Sequence, residues 1–283
     1  VMMKARQYNR QILNGKTTCH LYAIQESNTV NRLQLKYFGS GLNDLERNDA
    51  MNQITGLLDT FTDAKEYGSI LDVDTCNWDL LCRFTAKTND NGQMSMDSIG
   101  LKYTKEQLKL LIEIGQVMAQ KYNVVVTNPP YMGGSGMNPK VSDYVKKNYP
   151  DSKSDLFAVF IEKCMQMTKT SFYTAMITQH AFMFLSSYEK LRSKLLFNDF
   201  VNMAHLGARA FEEIGGEVVQ TTSFVLRKSN IENYKAIYAR LVDYNSQQEK
   251  ENAFLAKSDL HTAQKENFSK IPGSPIAYWV LVS

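Results

Sequence analysis

The sequence is poor in cysteine, with only Cys19, Cys76, Cys82 and Cys164 in 283 residues. No two stand as Cys-x-x-Cys, and the four histidines do not gather near them. That excludes a metal ligand set and favours scattered reduced thiols, as in a cytoplasmic protein. No apolar run approaches the length of a membrane span and no signal peptide opens the chain, so no membrane partner is expected. Strong charge is missing too: the net value of +3 is a weak basic signal for nucleic-acid binding. Internal repeats and low-complexity segments are absent. What is present is 43% apolar and 22% charged residues, the balance of a soluble globular protein. The length allows one large or two modest domains.

Both ends read as interrupted. Met2-Met3-Lys4-Ala5-Arg6 reads as the inside of a helix over 1–14, and the chain stops in the apolar Tyr278-Trp279-Val280-Leu281-Val282. An internal piece of a longer protein is the expectation. Short strands are predicted at 20–25 and 67–71, with helical stretches over 29–66. A polar, turn-rich segment covers 86–99. Leu108, Leu111, Ile114 and Met118 mark a helix over 105–120 by their spacing.

The run Val124-Val125-Val126 reads as a strand buried on both faces of a parallel sheet. Residues 132–154 read as a loop and 155–169 as a helix. A strand over 172–178, a helix over 186–197 and strands over 200–206, 218–226 and 236–242 follow. This alternation implies an open, mostly parallel α/β sheet. The last strands lack intervening helices and predict an antiparallel pair at one edge.

Directly after the valine strand stands Asn128-Pro129-Pro130-Tyr131. A turn after a strand is the plain reading of Asn-Pro. The chemical reading is sharper. The exocyclic amine of adenine is a poor nucleophile because its lone pair is delocalised into the ring. A site helps by accepting both amine hydrogens at rigid, preorganised acceptors. The Asn128 side-chain oxygen is one acceptor and the Pro129 carbonyl the other. The two prolines stiffen the bracket. A base inside a duplex is out of reach, so it must be flipped and held by stacking, for which Tyr131 offers a ring. The position fits as well, since sites in open α/β sheets lie beyond the carboxyl ends of strands.

With Asn128-Pro129-Pro130-Tyr131 as its adenine-N6 signature, the chain resembles the large adenine methyltransferases of BREX phage-defence systems, the PglX family. Ile177 to Ser187, His205 to Phe211, Gly215 to Thr222 and Ile271 to Trp279 carry the resemblance further, across nearly the whole chain. It implies a Rossmann-like S-adenosylmethionine-dependent methyltransferase sheet with helices on both faces, lacking its first strands. The catalytic core is expected over 1–230 with a helical insertion at about 29–105. Residues 231–283 would close the core and lead to a recognition region. The implied activity is site-specific DNA adenine-N6 methylation, with double-stranded DNA and other phage-defence subunits as partners. The cofactor's main glycine-rich motif is expected before residue 1, leaving this piece inactive alone. Two alternatives are a methyltransferase part of a fused restriction–modification enzyme and a non-catalytic DNA-binding scaffold.

By analogy with the family, Glu26 would sit near the cofactor and Phe224 would contact the flipped base. A solvated carboxylate and a core phenylalanine are the plain readings of these two. Asp155 resembles the start of the family's next motif, yet it is equally a favourable acid at a helix start. His180 is not needed as a base. Gly133-Gly134-Ser135-Gly136 reads as a flexible loop, and Lys140, Lys146, Lys147 and Lys153 as its solvated charges.

Overall fold

A computed structural model describes residues 19–87, 96–211 and 219–280; only the backbone of 96–99 is considered. The expected helix over 1–14 lies outside the described residues. The chain forms two compact units: residues up to 69 together with 73–118, and residues 70–72 together with 119–283. The division thus falls near residue 119, and nothing separates residues after 230 from the sheet before them. Among the described residues, no helix is long and apolar enough to cross a membrane.

The first unit is helical. Helix α1 spans Asp44–Thr60, α2 Ala64–Tyr67, α3 Trp78–Ala86 and α4 Met96–Ala119. Asn43 and Glu46 form a reciprocal capping box that starts α1, satisfying two free N–H groups of its first turn. Ile54, Leu57, Leu58, Phe61, Leu81, Phe84, Leu108 and Leu111 are buried. At Gly115 of α4 a side chain would begin 3.0 Å from Leu57 and 3.2 Å from Trp78, so glycine permits the close helix approach. The strand expected at 20–25 is not formed, and 68–70 is a 3-10 turn where an extended piece was expected. Among the described residues neither segment pairs with a strand.

The second unit is built on a six-stranded sheet. Its strands are β1 Tyr122–Thr127, β2 Thr168–Gln179, β3 Asp199–Gly207, β4 Thr221–Arg227, β5 Lys235–Arg240 and β6 Leu260–Gln264. Their order is β1-β2-β4-β3-β5-β6. The β1–β2 and β3–β5 pairs are parallel, while β2–β4, β3–β4 and β5–β6 are antiparallel. The sheet is therefore mixed. The antiparallel β5–β6 pair closes one edge, and a second reversed strand, β4, lies inside the sheet between two strands of like direction. Between them run α5 Pro139–Asn148, α6 Leu156–Met167, α7 Glu189–Leu196, α8 Gln247–Ala256 and α9 Lys265–Phe268.

Helices cover both faces of the sheet. On one face, Phe157 and Ile161 of α6 and Leu191 and Leu195 of α7 join Met176, Met203, Phe224 and Tyr238 in one core. On the other, Ala253 of α8 packs with Ala239 and Leu241. That second face is open over β1: Val124 is 55% and Val126 71% exposed, while Val125 packs on the main core. The valine run is thus buried on one face only, and a continuous apolar run cannot tell these cases apart.

Helix α5 occupies part of the expected loop. Asn138 caps it by accepting from Val141 N–H, and Pro139 opens its first turn, the position where a missing N–H costs nothing. Its Tyr144 hydroxyl accepts from Asp72 N–H, and the nearby Tyr149 hydroxyl donates to the Ile70 carbonyl, each at 2.7 Å. These bonds explain why 70–72 belongs with the sheet.

Candidate active site

Because β1, β2 and β3 run in one direction, their carboxyl ends share one rim of the sheet. The last β1 pairing is Thr127 with Met176, and Asn128 follows at once. Asn128 is exposed, Pro129 buried, Pro130 exposed and Tyr131 half-buried. Among the described residues, no side chain hydrogen-bonds the Asn128 amide or the Pro129 carbonyl. Both acceptors assigned from the sequence therefore stand free at the strand end.

Tyr131 packs on the main core, with its ring perpendicular to that of Phe157 and the centroids 6.3 Å apart. Its hydroxyl is buried and has no hydrogen-bond partner among the described residues. Burial, and then the nearby Asp155 carboxylate, raise its pKa above the usual phenol value, so it stays neutral. The Phe157 ring also meets that of Tyr188, with centroids 5.6 Å apart.

The backbone beyond Tyr131 is strapped to the start of α6. Asp155 Oδ1 accepts from Met132 N–H at 3.0 Å and from Phe157 N–H at 3.2 Å. Leu156 N–H donates to the Met132 carbonyl at 3.0 Å, and Gly134 N–H to the Ser154 carbonyl at 3.1 Å. Gly133 and Asp155 pair as an isolated antiparallel bridge. The glycine segment expected to be a free loop is thus tied at Gly133 and Gly134.

Two residues singled out from the sequence fall elsewhere. Phe224 is 1% exposed, with its ring between those of Phe182 and Phe200 at 5.6 and 5.8 Å. It is a core residue and offers no open face to a base, the outcome that strand position makes commonest for phenylalanine. Glu26 belongs to the first unit, where Lys65 Nζ lies 3.8 Å from its carboxylate. Gly39-Ser40-Gly41 forms a turn ahead of α1, with Gly39 N–H donating to the Phe84 carbonyl.

Sequence reasoning missed a polar chain at the same rim. His180 follows β2 directly, and its Nδ1 lies 2.8 Å from His205 Nε2 on β3. His205 Nδ1 in turn lies 3.0 Å from the Tyr278 hydroxyl. No local pattern announces partners 25 and 73 positions apart. Among the described residues no group of three His, Cys, Asp or Glu side chains converges.

The family model for the Eco57I restriction-modification methylase matches residues 34–211, a span that includes Asn128–Tyr131 and Asp155. The chain belongs to this family. Among its relatives, the adenine-specific methyltransferase PglX of Lacticaseibacillus casei (strain Zhang) is 40% identical over 99% of this chain and 23% of that protein. The adenine-specific methyltransferase BrxX of Escherichia coli O9:H4 (strain HS) is 37% identical over 100% of this chain and 25% of that protein. The type II methyltransferase M.VspI of Vibrio sp. (strain 343) is 26% identical over 47% of this chain and 35% of that protein. The chain spans about a quarter of the length of the first two relatives.

Membership in a methylase family implies S-adenosylmethionine as methyl donor. The described residues do not present the fitting cradle: no glycine-rich turn joins a strand to a helix ahead of β1, and Glu26 faces Lys65. The rim carries the Asn128 side chain, the Pro129 carbonyl and the Tyr131 ring.

Proposed function

We propose that this chain is the base-handling core of a DNA adenine-N6 methyltransferase of a BREX-type phage-defence system, acting on double-stranded DNA with other defence subunits as partners. The observation that carries the reading is Asn128-Pro129-Pro130-Tyr131 at the carboxyl end of β1, with its two acceptors free.

In this reading the flipped adenine enters at the rim, with Tyr131 as a wall against which the base is held. Asn128 Oδ1 accepts one N6 hydrogen and the Pro129 carbonyl the other. The nitrogen becomes more tetrahedral and its lone pair is released from the ring. As N6 gains positive charge, the two fixed acceptors stabilise it without reorganising. The spare proton then leaves to solvent, so no histidine base is required. S-adenosylmethionine would supply the electrophilic methyl group. Its holding residues and the DNA recognition region are proposed to lie outside the described residues.

The test is methyl transfer to adenine in duplex DNA by the full-length protein. The Asn128→Ala variant should lose at least roughly 100-fold in kcat, the scale of one preorganised hydrogen-bonding group. Equal activity in the variant would remove the assignment.

A further inference from the structure

We infer that Asp155 is a positioning residue for methyl transfer, clipping the backbone behind the adenine bracket to the first turn of α6. The inference rests on the reading of Asn128–Tyr131 as that bracket.

A helix cap alone needs only one bond, from Phe157 N–H to Asp155 Oδ1, and that bond is present. The same oxygen also accepts from Met132 N–H, which capping does not require. Met132 has its carbonyl engaged as well, by Leu156 N–H. Both backbone groups of the residue after Tyr131 are therefore fixed. At the other end, Thr127 is fixed by its ladder pairing with Met176. Residues 128–131 thus form a short span anchored at both ends. The prolines set their own φ, but they do not set where the span sits; the two anchors do. The clip also joins backbone to ring, because the Phe157 that Asp155 caps is the residue against which the Tyr131 ring stands. A shift of α6 without the clip would leave the ring support and the bracket moving apart.

Three variants of the full-length protein separate this role from capping. Asp155→Asn keeps an oxygen at the same reach and should stay within about 3-fold of wild-type kcat, since a neutral acceptor is only moderately weaker. Asp155→Ser retains a good cap, but its hydroxyl is too short to reach both N–H groups. It should keep the wild-type melting temperature and the KM for S-adenosylmethionine. Its kcat should fall by about 10- to 100-fold, the cost of misplacing a reacting group by an ångström or less. Asp155→Ala should lose both cap and clip.

Amide hydrogen exchange over 130–136 gives a readout independent of catalysis. Protection at Met132 should be present in wild type and Asp155→Asn and lost in Asp155→Ser. A Ser variant with wild-type kcat and wild-type exchange overturns the clip. Should the wild type fail to methylate adenine, the catalytic reading falls and exchange alone decides: loss of protection in the Ser variant supports the clip, and unchanged protection overturns it.

Discussion

His180 Nδ1 lies 2.8 Å from His205 Nε2, joining the carboxyl ends of β2 and β3 through a pair of imidazoles. Burial first, then the neighbouring His180, Arg240 and Lys250, push the His205 pKa down from its ordinary 6.5 to about 4. Burial lowers that of His180 too. Both rings are therefore neutral at neutral pH and share one N–H across the His180–His205 contact.

Stability should fall as pH falls through the window from 6.5 to about 4. There the unfolded chain binds a proton that folded His205 refuses; above 6.5 the contribution is complete. The loss is on the order of 3 kcal/mol at most. Melting curves against pH should show it, and His205→Gln should flatten the slope. An unchanged slope in that variant would refute the assignment.

Arg192 is a buried cation held by carbonyls. Its guanidinium donates to the carbonyls of Phe182, Leu185 and Gly273, joining the rim after β2 to the segment 271–280. Substitution to methionine strands these acceptors at about 1–3 kcal/mol each where no water replaces the donor. Urea unfolding of Arg192→Met should show a loss of several kcal/mol, with earlier proteolysis near 271–280.

Phe224→Ala should behave as a cavity mutation, costing about 3–5 kcal/mol. Binding of DNA by the folded fraction should be unchanged. A weaker DNA affinity with no stability loss would restore the base-contact role that the family resemblance implies.

Tyr131→Phe removes a buried hydroxyl that has no partner among the described residues. It should leave stability unchanged or raise it by up to about 1 kcal/mol, and methyl transfer should persist because the ring remains. Tyr131→Ala removes the ring that would hold the base and should raise KM for DNA. Thermal melting and steady-state kinetics on the pair check both outcomes.

The strand end that carries Asn128-Pro129-Pro130-Tyr131 was legible because its signals are local: a β-branched run, Asn-Pro-Pro-Tyr, then a helix start at Asp155. The α6, β2 and α7 elements were readable for the same reason. The placement of β4 was not. Its neighbours Gln179 and Gly207 are chosen by tertiary packing, which no short window contains. Helix α5 did carry a signal, Asn138-Pro139, but the glycines before it and the lysines within it masked the period. The second function of Asp155 stayed hidden because a capping carboxylate looks the same whether or not its oxygen serves another N–H.

Inserting β4 in reverse between β2 and β3 turns its first residue back to the rim. Thr221 stands opposite Gly207, whose φ of +67° and 3.0 Å clearance from Val242 hold that corner to glycine. The 208–220 connection therefore begins and ends beside Asn128's side of the sheet, with both ends pinned by the ladder. The ladder therefore holds Gly207 and Thr221 side by side at the rim that carries Asn128, a closure made by strand pairing and not by the chain between them.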